Sequence, residues 1–186
     1  RSVGAADSIE EAAGLIVRYF YDHMVDPATG VRSCALVRFY KTHPFNTLEP
    51  EQQLFAEQLL GDQPRDEGMR CLALLATAGD EAEWNSRKAS RSHQAIPLPS
   101  AVIVRQAPMI ARLIEDMGLD IEAVVSGTHP PRDREARTYD VFHVEDAVGS
   151  PHIPAQHDFV LQYGIRSVVG FGGLLRSGEL YAVILF

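Results

Sequence analysis

The clearest structural pattern in the chain is GIRSVVGFGGLLRSGELYAVILF, residues 164–186. Two apolar runs within it, residues 165–171 and 180–186, have the composition of β-strands. The residues between them include Gly178, which supplies the positive φ angle that a tight turn between antiparallel strands requires. The pattern therefore predicts an antiparallel hairpin.

A strand, a loop and a short helix are predicted before this hairpin. Residues 138–144 read TYDVFHV, in which His143 shares a face with Val141 and not with Phe142, because side chains alternate along a strand. Residues 145–154 read EDAVGSPHIP and contain the Gly and Pro residues typical of a loop. Residues 155–163 are helix-like, so the predicted order is strand, loop, helix and hairpin.

This order, with DA and SP in the loop before the GIRS turn, resembles the C-terminal half of a GAF domain. GAF domains are small sensory modules of phytochromes, phosphodiesterases and bacterial sensor kinases. The runs CALVRFYKTHP, LATAGDEAEWNSR and AIPLPS resemble the N-terminal sensor segment of bacterial histidine kinases. The resemblance therefore covers nearly the whole chain.

The resemblance implies an α+β fold, with a PAS-related antiparallel sheet of five to six strands and helices packed against it. It implies one sensory domain over residues 1–186, at the input end of a longer bacterial signalling protein of a two-component system. In that setting the domain is cytoplasmic, homodimeric and non-catalytic, and it binds a small-molecule ligand that the sequence does not identify. No cofactor is assigned.

The N-terminal half predicts two helices and two strands. Ser8 and Glu11 have capping-box spacing at the start of an apolar stripe with helical period, and this first helix should end before Pro27. A second helix is expected from 49 to 61, with Leu54, Phe55, Leu59 and Leu60 facing the core. Strands are predicted at 33–41 and at 69–79; on the first, one face carries Leu36, Arg38 and Tyr40.

The middle of the chain is longer than the resemblance implies. Residues 80–99 show little periodicity, and Ser100 caps a strongly apolar helix that Pro108 divides or kinks and Gly118 ends. Residues 121–125 are predicted to form a short strand. We interpret 80–137 as an insertion that changes the shape of the pocket.

Charge and cysteine content exclude several functions. The formal net charge of -8 argues against nucleic-acid binding, and no apolar run reaches the ~20 residues that span a bilayer, so this part of the protein should not contact a membrane. The basic cluster Arg87, Lys88 and Arg91 follows three acidic residues and is interpreted as a solvated loop. Cys34 and Cys71 lie in apolar strands, which favours buried thiols over a disulfide, bilin attachment or thiol catalysis.

Seven residues are candidates for contact with a small ligand. The resemblance places the pocket between the sheet and its covering loops, lined from the long middle section and the final strands. Arg166 has an alternative as an ion-pair partner of Asp158 or Glu179, and the aromatic candidates could simply fill the core. The candidates are Trp84, His93, Phe142, His143, Tyr163, Arg166 and Ser167.

Three alternatives to a ligand sensor remain at this point. A ligand-free dimerisation or interaction module would have a pocket filled by Phe and Trp side chains. A haem or metal sensor would use some of the five late histidines, although no zinc-type spacing is present: His93, His129, His143, His152 and His157. An enzyme would need hydrogen-bonded His, Asp or Ser groups in the pocket.

Overall fold

A computed structural model describes residues 4, 6–66, 68–128 and 141–186 of the chain. Within these residues, six strands form one antiparallel sheet in the order β3-β2-β1-β6-β5-β4. The prediction of an α+β fold with an antiparallel sheet of five to six strands is confirmed. The strands are β1 (Leu36–Pro44), β2 (Arg70–Gly79), β3 (Ala95–Leu98), β4 (Phe142–Val144), β5 (Val168–Leu174) and β6 (Leu180–Leu185).

Helices cover both faces of this sheet. Short 3-10 turns at Phe45–Thr47 and Ala82–Asn85 and a π-helical turn at Gln156–Leu161 complete the described elements. Among the described helices the longest has 15 residues, and none has the length and hydropathy of a bilayer-spanning segment. The α-helices are α1 (Ile9–His23), α2 (Pro50–Leu60), α3 (Ala101–Arg105), α4 (Pro108–Asp116) and α5 (Ile121–Ser126).

The predicted hairpin is formed by β5 and β6. Its register runs from Val169 opposite Leu185 to Leu174 opposite Leu180, and Gly178 in the turn has a φ of 90°. β6 then pairs with β1, which places the end of the chain in the middle of the sheet. The final strand therefore joins the two halves of the sheet.

Strand β1 separates two cores. Val37 and Phe39 face α1 and pack in a cluster with its buried residues Ala13, Val17 and Tyr21. On the other face, Tyr40 belongs to a larger core that α3, α4 and α5 cover. The register with β2 shifts between Phe39 and Tyr40, which marks a bulge in this pair.

Helix α1 begins as the sequence predicts. The Ser8 hydroxyl accepts a hydrogen bond from the Glu11 backbone N–H at 3.1 Å, and the helix ends at His23, before Pro27. Near its other end, the Tyr21 hydroxyl donates to Asp80 Oδ1 at 2.7 Å. This bond attaches the helix to the end of β2.

Two predictions about helices were wrong. Residues 121–125 form helix α5 and not a strand, because the Asp120 side chain caps it by accepting from the Ala123 N–H at 2.9 Å. In α2, the buried positions are Gln52, Ala56 and Leu60, whereas Leu54 and Leu59 are exposed. Burial of the polar Gln52 side chain is tolerated because its amide donates to the Leu74 carbonyl oxygen at 3.2 Å.

The predicted break in the apolar helix is confirmed, whereas part of one predicted strand lies outside the described residues. Pro108 divides the predicted long helix into α3 and α4, with Ser100 capping α3. Residues 80–99, where little pattern was visible, contain β3. Residues 138–140 of the predicted strand, together with His129, lie outside the described residues.

Two glycines in β5 allow close packing on the sheet. Gly172 and Gly173 follow the predicted run 165–171, but the strand continues through them to Leu174. A Cβ atom at Gly170 would lie 2.9 Å from Leu113 Cδ1 of α4, and one at Gly172 would overlap the carbonyl oxygen of Tyr181. These positions leave no room for a side chain.

Gly172→Ala should therefore destabilise the protein. We expect the free energy of unfolding to fall by about 2 kcal/mol or more, because the added methyl group displaces the backbone of β6 or the side chain of Met117. The measurement is denaturant unfolding followed by circular dichroism.

Gly14→Ala is the matched control, because Gly14 lies in α1 with open space around its Cα. It should raise the free energy of unfolding by up to ~1 kcal/mol, since Ala favours helix over Gly. Equal stability of Gly172→Ala and the wild type would contradict the packing seen at β5.

Candidate ligand pocket

A cavity of about 820 Å³ lies between the sheet face opposite α1 and the segments that cover this face. Its volume is within the range of small-molecule sites, about 300–1,000 Å³. The walls come from β1, β3, α4, the loop 82–93 and the segment 153–163. Most of the lining is apolar; examples are Leu36, Leu72, Ile96, Ile103, Met109, Ile110, Ile153 and Ile184.

One wall is aromatic. Tyr163 lies edge-on to Trp84 with ring centroids 4.5 Å apart, and Phe159 lies edge-on to Phe186 at 5.0 Å. Phe159 also contacts Trp84, at 5.9 Å, which links the two pairs. The rings stabilise one another and leave the cavity unfilled.

The polar side of the cavity is centred on Arg38. Its position on β1 puts it on the same face as Leu36 and Tyr40, and its side chain is only 6% exposed. The guanidinium donates to the Tyr40 hydroxyl and to the Ser92 carbonyl oxygen, both at 3.3 Å, and to Ser90 Oγ at 3.1 Å. These acceptors are all neutral.

The positive charge of Arg38 is not neutralised by any carboxylate among the described residues. No ion pair in the described ranges includes Arg38, and its buried Nε has no hydrogen-bond partner there. A buried charge without a counter-charge is costly, so buried arginines are normally paired. The electrostatics of the pocket therefore favour an anionic group beside Arg38.

His93 lies next to Arg38 on the cavity wall. Its φ angle of 57° is unusual for a residue other than glycine, and such conformations occur at functional sites. Protein surrounds the imidazole on most sides. Because it lines an open cavity, it still has solvent-accessible surface. Burial lowers the pKa of His93 below its usual value, and the charge of Arg38 lowers this pKa further.

The structure brings three of the seven candidate residues to this cavity. Trp84, His93 and Tyr163 line it. Phe142 is fully buried in the core beneath α4, and His143 points outward from β4, as the alternation of the strand predicted. Arg166 and Ser167 are exposed and lie outside the cavity lining.

The suggested ion pair of Arg166, with Asp158 or with Glu179, is not formed among the described residues. Glu179 forms its ion pair with Lys41 of β1, with Nζ and Oε1 3.6 Å apart. Lys41 lies on β1 opposite Tyr181, close to the turn that carries Glu179, whereas Arg166 precedes β5, at the end of the hairpin away from that turn. The distance along the sheet therefore favours the lysine.

Arg38 was not among the predicted pocket residues. Its predicted position on one face with Leu36 and Tyr40 is confirmed, and this face lines the cavity. A charged residue in the middle of an apolar strand was the available sign. Ser90 and Ser92 carried no such sign because they lie in a segment without regular pattern.

Cysteine and histidine chemistry receives no support from the geometry. Cys34 and Cys71 are buried and unpaired with each other, as predicted, and burial raises the pKa of Cys71 to about 12. His143 and His157 are exposed, and His152 is half-buried. Within the described residues, no three His, Cys, Asp or Glu side chains are grouped as metal ligands.

Comparisons of this chain with models of protein families, with curated proteins and with solved structures give no match.

The depressed pKa of His93 leads to a prediction about acid stability. The folded state binds a proton at His93 more weakly than the unfolded state, whose histidines titrate near 6.5. The folded protein should therefore lose stability as the pH falls through about 6.5. His93→Asn, which tolerates the positive φ, should make the decrease in Tm between pH 7.5 and pH 5.5 smaller.

Differential scanning fluorimetry across this pH range measures the effect. His157→Asn removes an imidazole at an exposed position outside the cavity and serves as the control. If His93→Asn retained the full wild-type decrease in Tm, His93 would not be the group that resists protonation.

Proposed function

We propose that this chain is a non-catalytic, GAF-like sensory domain that binds a small organic ligand in the cavity. The observation that carries this proposal is the unfilled space of about 820 Å³ with an apolar lining and a few convergent polar groups. Arg38, His93 and the Ser92 carbonyl provide those polar groups. This combination is the usual form of a small-ligand site.

The position of the cavity suits a sensor. A ligand would contact β1, the aromatic segment around Phe159 and the loop that carries His93 at the same time. The Phe159 segment contains a π-helical turn, an irregularity that often occurs at functional sites. A ligand that contacts these parts more favourably in one arrangement would shift the population toward that arrangement.

The GAF resemblance supplies the biological setting of the proposal. In this setting the domain is the cytoplasmic input of a bacterial two-component protein, and its ligand state controls a linked histidine kinase. Two features support a regulatory role over catalysis. In the described residues no hydrogen bond joins His93 to an acidic or hydroxyl side chain, and the two cysteines are buried away from solvent.

A second candidate function is self-association through the end of α1. Large apolar side chains are exposed there and in the turn that follows, where the Asp26 N–H donates to the Val31 carbonyl oxygen. The buried face of α1, with Ala13 and Val17, packs on the sheet and is not available for such a contact. The exposed side chains are Tyr19, Met24, Val25 and Val31.

Filling the cavity should prevent ligand binding. Ala107 lines it beside the start of α4, and Ala107→Phe would place a ring in the space that the ligand needs. We expect native mass spectrometry and thermal-shift screening against a small-molecule library to detect binding with the wild type and not with Ala107→Phe.

Ala89→Phe is the matched control, because Ala89 is exposed and lies outside the cavity lining. It should bind library compounds as the wild type does. Identical hits for the wild type and Ala107→Phe would show that binding occurs elsewhere.

Self-association has its own test in sedimentation velocity. If the end of α1 is a dimer contact, Val31→Glu should shift the dimer toward monomer, because it places a charge on an apolar interface. Val148→Glu changes an equally exposed valine elsewhere and should leave the dimer intact. A wild type that stays monomeric at high concentration would exclude this function.

A further inference from the structure

The chemistry around Arg38 narrows the class of ligand, an inference that rests on the proposed ligand-binding function. Arg38 is the only charged side chain of the described cavity lining that is buried. Three hydrogen bonds to neutral oxygens hold its guanidinium in place, out of the five N–H groups that an arginine carries. The group is therefore positioned but not neutralised.

A second donor lies beside this charge. The Tyr40 hydroxyl accepts a hydrogen bond from Arg38 Nη1 at 3.3 Å, so its own proton is available to another acceptor. No described residue accepts that proton in a hydrogen bond. Arg38 and Tyr40 together thus offer a cation and an O–H donor on the same wall.

The other charged residues of the lining do not neutralise Arg38. Arg91 and Glu83 pair with each other at 2.9 Å and are both more exposed than Arg38. Asp158 is exposed on the π-helical turn and forms no ion pair within the described ranges. Exposed charges are screened by water, whereas a buried one is screened much less, so the charge of Arg38 dominates inside the cavity.

We propose that the cavity binds an amphipathic monocarboxylate, with the carboxylate at Arg38 and Tyr40 and the apolar body against the aromatic wall. A guanidinium matches a carboxylate in shape and charge, and a charge-assisted hydrogen bond is about twice as strong as a neutral one. A single arginine suits one negative charge better than the two of a phosphate monoester. The rings of Trp84, Phe159 and Tyr163 provide the surface for a ring or an alkyl chain.

Pairs of compounds that differ only in charge test this proposal. The probes are a panel of carboxylates and their primary amides, from 3-phenylpropanoate and 3-phenylpropanamide to decanoate and decanamide. Isothermal titration calorimetry on the wild type should give carboxylate affinities roughly 10- to 100-fold above those of the amides, the range expected for a hydrogen bond to a charged group.

Two variants of Arg38 assign the effect to this residue. Arg38→Met removes the charge at similar length and should abolish the preference for carboxylates while leaving amide affinities within about threefold. Arg38→Lys keeps the charge without the planar fork and should retain part of the preference. Circular dichroism and Tm establish that each variant is folded, because Arg38→Met also removes the hydrogen bonds to Tyr40, Ser90 and Ser92.

Different results would overturn different claims. Equal binding of carboxylates and amides by the wild type, or an undiminished preference in folded Arg38→Met, would refute the carboxylate proposal and leave the ligand-binding function standing. If no member of either series bound to the wild type at millimolar concentration, the carboxylate proposal would fail, and the comparison of the wild type with Ala107→Phe would decide the ligand-binding function. The comparison within the wild type remains decisive even if Arg38→Met does not fold.

Discussion

The period of two along β1 is the constraint on which the rest of the structure depends. The strand lies inside the sheet, between β2 and β6, and both of its faces are covered, one by α1 and the other by the core under α3, α4 and α5. Val37 and Phe39 complete the core under α1, and the alternating positions Leu36, Arg38 and Tyr40 form the floor of the cavity. A shift of register by one residue would turn Arg38 into the core under α1 and remove the polar side of the pocket.

The sheet face that carries the cavity is densely packed at one end because of β5. Because Gly170 has no side chain, α4 approaches the sheet closely there, and the core is dense between Leu113 and Phe142. The cavity opens where such contacts are replaced by the loop 82–93 and the segment 153–163, which meet through Trp84 and Tyr163. The sheet face is therefore densely packed near Gly170, and it has space for a ligand at the cavity.

Local signals in the sequence predicted local structure well and the pocket only in part. Ser8, Pro108 and Gly178 each act through their own backbone neighbourhood, which explains why the helix start, the helix break and the hairpin turn were correct. Residues 121–125 were ambiguous because a short apolar run fits either element, and the Asp120 cap decided for helix. The pocket is lined by residues that are far apart along the chain, such as Arg38 and Tyr163. The spacing of residues in the sequence does not show that these two line the same pocket.

Arg38 breaks the local rule of its own strand, and this is why it is informative. Desolvating a guanidinium costs several kcal/mol in general, and neutral acceptors return only part of this free energy. An apolar residue at this position would extend the core at no such cost, so stability alone does not account for the arginine. No ion pair in the described ranges matches this charge, and local conflicts with the fold concentrate where a protein binds. The proposed ligand would place its negative group in the cavity beside Arg38.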